Sequence, residues 1–226
     1  DGRMSETPGV RFLPAGPRAL LVELDDLNGM RALTAELSRR RGCGWAPSLL
    51  DVVPGARTVL LDGLDDIPGA IADLRSWRLD PDAIQATATA TVDGGETTIE
   101  IACHYDGPDL VEVAGAWGVS VAEAIEIHTS TAFSVAFCGF SPGFAYLSGL
   151  GPERSVARRA NPRPRVAAGS VALAGEFTGI YPRPSPGGWQ IIASTDAVLW
   201  EAVCEPPALL IPGHRVRFLD IDGDRR

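Results

Sequence analysis

One stretch constrains this chain more than any other: Phe137 to Trp189 carries nine of the 25 glycines and seven of the 18 prolines. Proline lacks a backbone N–H and restrains the residue before it, and each glycine inside a helix costs about 1 kcal/mol, so no long helix runs through here. The short apolar runs in and around it, Phe133 to Phe137, Ser170 to Ala174, Gln190 to Ala193 and Val216 to Ile221, read as strands of a closed or sandwiched β structure. A β-barrel is the favoured form. The stretch is also basic, with Arg154, Arg158, Arg159, Arg163, Arg165 and Arg183 against Glu153 and Glu176, in a chain of 226 residues and net charge −9. Such a patch points to an anionic ligand or partner surface.

Upstream, helix and strand signals alternate. Ala19 to Leu24 reads as a buried strand, and Asn28 as the cap of a helix that ends on the basic run Arg39 to Arg41. Leu49 to Val53 and Arg57 to Leu61 form a hairpin through Pro54-Gly55, followed by a helix with Pro68 in its first turn. This βαββα order predicts a small two-layer α+β domain over residues 1–93. Leu79 to Glu96 is the junction, marked by Asp93-Gly94-Gly95, and residues 94–226 form the mainly β domain. It opens with the alternating strand Thr97 to Cys103. Two helices follow: Pro108 to Trp117, stopped by Gly118, and a second led by Ser120 and Glu123 at capping-box spacing and closed by His128.

Composition removes several mechanisms. All 20 basic residues are arginine, so there is no Walker lysine and no Schiff-base lysine. Cys43, Cys103, Cys138 and Cys204 are widely spaced and read as reduced thiols, and the three histidines lack ligand spacing, so no metal site is expected. No apolar run of about 18 residues is present and the N-terminus lacks a signal-peptide layout, which predicts a cytoplasmic chain without a membrane span. Acidic balance argues against a nucleic-acid surface.

The residues Gly139-Phe140-Ser141-Pro142-Gly143 match G-x-S-x-G, with Asp196 and His214 in the order of an α/β-hydrolase triad. Mechanism rejects that match. The residue after the nucleophile must supply an oxyanion-hole N–H, and Pro142 has none. The segment is better read as a Gly/Pro turn shaping a pocket wall. His128, at a helix C-terminus where the dipole favours its charged form, is a candidate for proton transfer or a simple cap. Arg163 and Arg165 stand on the stiff segment Asn161 to Arg165, suited to hold a carboxylate or phosphate, or else form a solvated arginine loop. Gly169 and Ser170, with Gly175 to Gly179, can bring backbone N–H groups toward a ligand or mark barrel bends. Pro186, Gly187 and Gly188 deliver Trp189 to a pocket or to a barrel end.

Several of these segments together carry a family resemblance. GFSPGFAYLSGL (Gly139 to Leu150), AGSVALAGEFTGIYP (Ala168 to Pro182), SPGGW (Ser185 to Trp189) and PGHRVRF (Pro212 to Phe218) resemble the family of 5-oxoprolinase B-type subunits, also called allophanate hydrolase subunit 1, which includes the kinase inhibitor KipI. The resemblance extends through Tyr105 to Thr129 and, more weakly, through ALLVEL and VPGARTVLL. It implies a cyclophilin-like barrel behind a small α+β domain. It also implies a C-type partner (allophanate hydrolase subunit 2, or KipA) and, with an A-type protein as third component, ATP-dependent opening of 5-oxoproline to glutamate, with magnesium accompanying the complex's ATP and the isolated chain inactive.

On this basis Arg163, Arg165, Ser170 and Thr178 are expected to bind a small anionic substrate. Gly139, Phe140, Pro142, Gly143, Tyr146, Gly169, Gly175, Gly179, Tyr181, Pro186, Gly187, Gly188 and Trp189 are expected to shape the pocket. The chain departs from the family pattern at Ala167, where proline is usual, at Phe177, where glutamine is usual, and at His214, where aspartate is usual. The change at 177 removes an amide from the expected pocket wall. Two further readings stand beside the enzyme component: a KipI-like module that blocks a sensor histidine kinase, and a carboxyltransferase-like or hydrolase component of urea or allophanate chemistry.

Overall fold

A computed structural model of the chain describes residues 9–79 and 98–223, which divide between two compact units, Asp1–Val92 and Asp93–Arg226. The domain boundary expected between residues 93 and 94 lies outside the described residues.

The first unit places β1 (Arg11–Gly16), β2 (Ala19–Glu23), β3 (Asp51–Pro54) and β4 (Thr58–Asp62) in an antiparallel sheet of order β1-β2-β4-β3. The expected hairpin is present: Pro54 pairs with Val59, and Gly55 N donates to Thr58 O at 2.7 Å. Helices α1 (Leu27–Gly42) and α2 (Ile67–Ser76) form the second layer. Buried Leu20, Val22, Val59 and Leu61 alternate along the two central strands, and Met30, Leu33, Leu37, Ala70 and Leu74 are among the buried apolar residues of the helices. The cap of α1 is Asp26, whose Oδ1 accepts from Gly29 N at 2.8 Å, two residues before the Asn28 expected from sequence. Strand β1 was not anticipated because Pro14 breaks the pattern of a strand; an edge position, where one side of the backbone needs no partner, accommodates it.

The second unit opens with β5 (Thr98–Cys103), then α3 (Leu110–Trp117) and α4 (Val121–Ser130). Gly118 ends α3 in the left-handed region at φ 68°, and Ser120 with Glu123 forms the reciprocal capping box of α4. Next come β6 (Phe133–Cys138), β7 (Ala145–Ser148), β8 (Arg163–Val166), β9 (Ser170–Ala174), β10 (Phe177–Ile180), β11 (Ser185–Gly187), β12 (Gln190–Ser194) and β13 (Arg215–Asp220). Seven strands make one sheet of order β12-β9-β10-β7-β6-β13-β5, antiparallel except for β13 against β5. Its two edge strands meet where His104 and Ser194 exchange backbone hydrogen bonds of 2.8 Å. The seam continues as Gly107 N donates to Ile192 O and Asp109 N to Ile191 O. The sheet is thus a nearly closed barrel. Gly107 is required there, since a Cβ would lie 2.3 Å from the Ile192 carbonyl carbon.

Strand β9 is buried along its whole length because both its faces pack. Val171 and Leu173 join the core shared with α3 and α4, while Ala172 and Ala174 join a second cluster containing Phe144, Tyr181 and Trp189. The proline-bearing strands β8 and β11, read from sequence as a stiff loop and a tight turn, pair as a separate two-stranded ribbon. All four cysteines are free. No helix among the described residues is long and apolar enough to cross a membrane.

Candidate functional site

The β6–β7 hairpin supplies one wall of the second cluster. Phe144 N donates to Ser141 O at 2.9 Å across Pro142 and Gly143, with Gly143 at φ 82°, the conformation a glycine adopts freely. Just before it, Ser141 N donates to Gly139 O at 2.7 Å, a γ-turn that holds Phe140 at φ 67°. A bulky residue rarely adopts this conformation, and it turns the Phe140 ring outward, 61% exposed. Ser141 Oγ is buried without a hydrogen-bond partner, so no histidine activates it and the triad match has no counterpart in space.

Seven rings meet beneath this loop. Phe137 stacks on Tyr146 at 4.3 Å between centroids. Phe144 touches Phe140, Tyr146, Tyr181 and Trp189 at 5.1 to 5.5 Å, mostly edge to face, and Phe177 closes on Phe137 and Tyr146. Glycines make room for them. A Cβ on Gly179 would lie 2.8 Å from Phe144 Cζ and 3.0 Å from Trp189, and one on Gly187 would lie 2.2 Å from the Tyr181 hydroxyl. Burial raises the Tyr146 and Tyr181 pKa values, so both keep their protons at neutral pH.

The arginines divide between two environments. Arg159 Nη1 and Arg163 Nη2 both donate to Asp109 Oδ1, at 2.7 and 2.8 Å, and Asp109 Oδ2 accepts from Ile191 N at 2.7 Å. Asp109 is 2% exposed. Its burial alone would raise the carboxyl pKa; the bonds from Arg163 and Ile191 N, with the charges of both arginines, pull it below the ordinary carboxylate value. Arg163 thus makes an internal ion pair through Nη2, while its Nη1 is buried without a hydrogen-bond partner. Arg158, Arg165 and Arg183 are exposed.

His128 lies on the other side of the sheet from the rings. It is 0% exposed, hydrogen-bonded from Nδ1 to the Tyr105 hydroxyl at 2.7 Å and from Nε2 to Thr178 Oγ1 at 3.4 Å, and packed on Phe133 and Phe218. Burial pushes its pKa down to about 3, so the imidazole is neutral and the charged form expected at the helix end does not arise. Alternation along β10 explains the split: Phe177 and Gly179 face the rings, while Thr178 and Ile180 face the helix-side core. Thr178 thus does not reach the aromatic surface.

Of the expected residues, the fold brings Phe140, Gly143, Tyr146, Gly179, Tyr181, Gly187 and Trp189 together, with Gly139 and Pro142 in the same loop. Gly188 packs on Pro162, and Pro186 is exposed on the ribbon. Gly169 lets the chain pass the Thr195 carbonyl, Ser170 is buried at the start of β9, and Gly175 turns the β9–β10 hairpin. Sequence reasoning missed Asp109, Phe137 and Phe144 as parts of the site, and placed position 177 in the pocket wall without the ring contacts Phe177 makes there. Asp109 precedes a helix, which conceals its real partners; it makes no capping bond.

Residues 10–210 match the family described as carboxyltransferase domain, subdomain C and D. The chain is 37% identical over 179 residues to the 5-oxoprolinase B-type subunit of Escherichia coli O157:H7, covering 76% of this chain and 78% of that protein. The solved structure of TTHA0988 superposes with a TM-score of 0.68 at 33% identity; 91% of this chain is covered, and the chain spans 40% of that protein's length. The K. lactis urea amidolyase, at 17% identity and TM-score 0.68 over 96% of this chain and 15% of its own, shares the fold. The chain belongs to the carboxyltransferase subdomain C and D family, among the B-type subunits of 5-oxoprolinase.

Proposed function

We propose that this chain serves as the B-type component of a 5-oxoprolinase, acting with C-type and A-type subunits to open the lactam of 5-oxoproline to glutamate with ATP hydrolysis. The observation that carries this is the 37% identity to a 5-oxoprolinase B-type subunit across 78% of that protein's length.

The site geometry supports a component that binds and orients rather than one that breaks the bond. Ser141 has no activating base, and His128 is shut in the core. What the chain offers is an aromatic surface with arginines around it, suited to a small anion. The chain has no lysine, and the described residues hold no group of three or more His, Cys, Asp or Glu able to take a metal ion. We therefore assign ATP and its magnesium to the partner subunits and expect the isolated chain to be inactive. No observation on the described residues favours docking to a kinase.

Co-expression with the C-type and A-type subunits tests this reading. ATP-dependent glutamate release from 5-oxoproline is expected from the complete set and from no set lacking this chain. A purified complete complex without turnover overturns it.

A further inference from the structure

Among the described residues nine large apolar side chains are exposed, and five of them lie on two touching loops of the second unit. Phe140 is on the β6–β7 turn; Val198, Trp200, Val203 and Leu209 are on the loop between β12 and β13, at 66, 41, 89 and 37% exposure. The loops meet closely, since a Cβ on Gly143 would lie 2.8 Å from Trp200 Cβ and 3.0 Å from Leu199 O. The second loop is held in shape by its own bonds. Leu209 N donates to Leu199 O at 3.1 Å and Glu201 N to Pro207 O at 2.8 Å, Trp200 pairs with Ala208, and Leu199 and Leu210 anchor the loop in the core at 2 and 1% exposure. Single apolar side chains scattered over a surface are ordinary, but a cluster on an ordered loop marks a contact.

We propose that this face docks the C-type subunit, with Trp200 and Val203 at its dry centre and Phe140 at its edge, beside the aromatic cluster. The assignment rests on the reading of the chain as a B-type component. TTHA0988 carries this fold as 40% of its chain, so there the fold has further protein tethered to it. Where the second component is a separate subunit, the surface alone must hold the two together, and a buried Trp among apolar neighbours is what gives such contacts their strength. The γ-turn already presents the Phe140 ring outward, so docking has no ring to reorder there. Charge sets what the partner must look like. From Gln190 to Gly213 the charged residues are Asp196, Glu201 and Glu205, all acidic and all exposed. The facing patch is therefore apolar with a basic rim. A second copy of this chain would bring acid against acid, which argues against self-pairing through this face.

Binding of the purified chain to the purified C-type subunit is measured by titration calorimetry and by association kinetics in low and high salt. Val203→Arg is expected to raise Kd about 30-fold or more, and Trp200→Ala by a similar factor. Val203 is 89% exposed, so the melting temperature of Val203→Arg stays that of wild type, which separates lost docking from lost folding. Glu205→Lys slows association about 10-fold in low salt and little in high salt; a rate unchanged in low salt overturns the basic-rimmed partner. Val111→Arg, at an exposed apolar position on α3 outside both loops, leaves Kd as in wild type. If the wild-type chain does not bind the C-type subunit, the B-type reading itself falls. If it binds and both Val203→Arg and Trp200→Ala bind as tightly, or if Val111→Arg weakens binding equally, the docking face is wrong while that reading stands. A wild-type dimer in sedimentation that Val203→Arg dissociates overturns the choice of partner.

Discussion

Asp109 and Arg163, 54 residues apart in sequence, meet at 2.8 Å beside the barrel seam. Asp109 also accepts from Ile191 N on β12, so one carboxylate ties the start of α3, the β8–β11 ribbon and the sheet edge together. The pair helps hold the ribbon over the second cluster, where Val166 of β8 is buried; among the described strands β8 and β11 hydrogen-bond only to each other.

Asp109→Ala is expected to cost about 2–4 kcal/mol in urea unfolding, somewhat below a fully buried pair because the two arginine side chains are 31% and 23% exposed. The carboxyl is depressed in the fold, so its contribution is complete above the ordinary carboxylate range and is lost as pH falls through the folded value. The variant's stability therefore falls less than that of wild type on acidification below about pH 4. Equal acid sensitivity in both proteins would count against the pair.

His128 sets a different acid limb. Its folded pKa of about 3 lies below the ordinary 6.5, so between these values the unfolded chain binds the extra proton. Its contribution is complete above pH 6.5 and is lost as pH falls toward 3, with a slope of at most about 1.4 kcal/mol per pH unit. His128→Gln, whose amide does not titrate, is expected to flatten the stability profile between about pH 6 and 4. Urea midpoints across that range measure it.

Gly179→Ala places a methyl 2.8 Å from Phe144 Cζ and 3.0 Å from Trp189. The rings must shift, at about 1–3 kcal/mol for overpacking. Trp189 is at the contact, so its fluorescence and the near-UV circular dichroism are expected to change along with stability. An unaltered aromatic spectrum would show that the cluster is looser than described.

Phe140→Asn tests the γ-turn. Asparagine tolerates positive φ better than phenylalanine, and the ring it replaces is 61% exposed, so stability is expected to hold or rise by about 0.5–1 kcal/mol. If the ring covers bound substrate, turnover by the complex drops while the melting temperature does not. A clear loss of stability would instead give Phe140 a packing role.

Much of this protein was legible one residue neighbourhood at a time. The Ser120–Glu123 capping box, the left-handed Gly118, the Pro54-Gly55 hairpin and the absence of long helix after Ala132 all follow from local sterics and backbone hydrogen bonding, which nearby residues decide. Pro142 alone was enough to reject a serine nucleophile, because a missing N–H is a property of the residue itself. Edge strand β1 and ribbon strands β8 and β11 were hidden, since their prolines read as breaks until the sheet order shows which backbone sides need no partner.

Tertiary structure alone decided the rest. Whether Arg163 meets a ligand or an aspartate depends on a carboxylate 54 residues away, and whether His128 is charged depends on the rings that desolvate it. Asp109, Phe137 and Phe144 carry no local signature of a site; closing the barrel assembles them. Sequence by itself determines what each residue can donate, accept or forbid, whereas pKa and ion pairing arise from distance and burial, which exist only once the chain has folded.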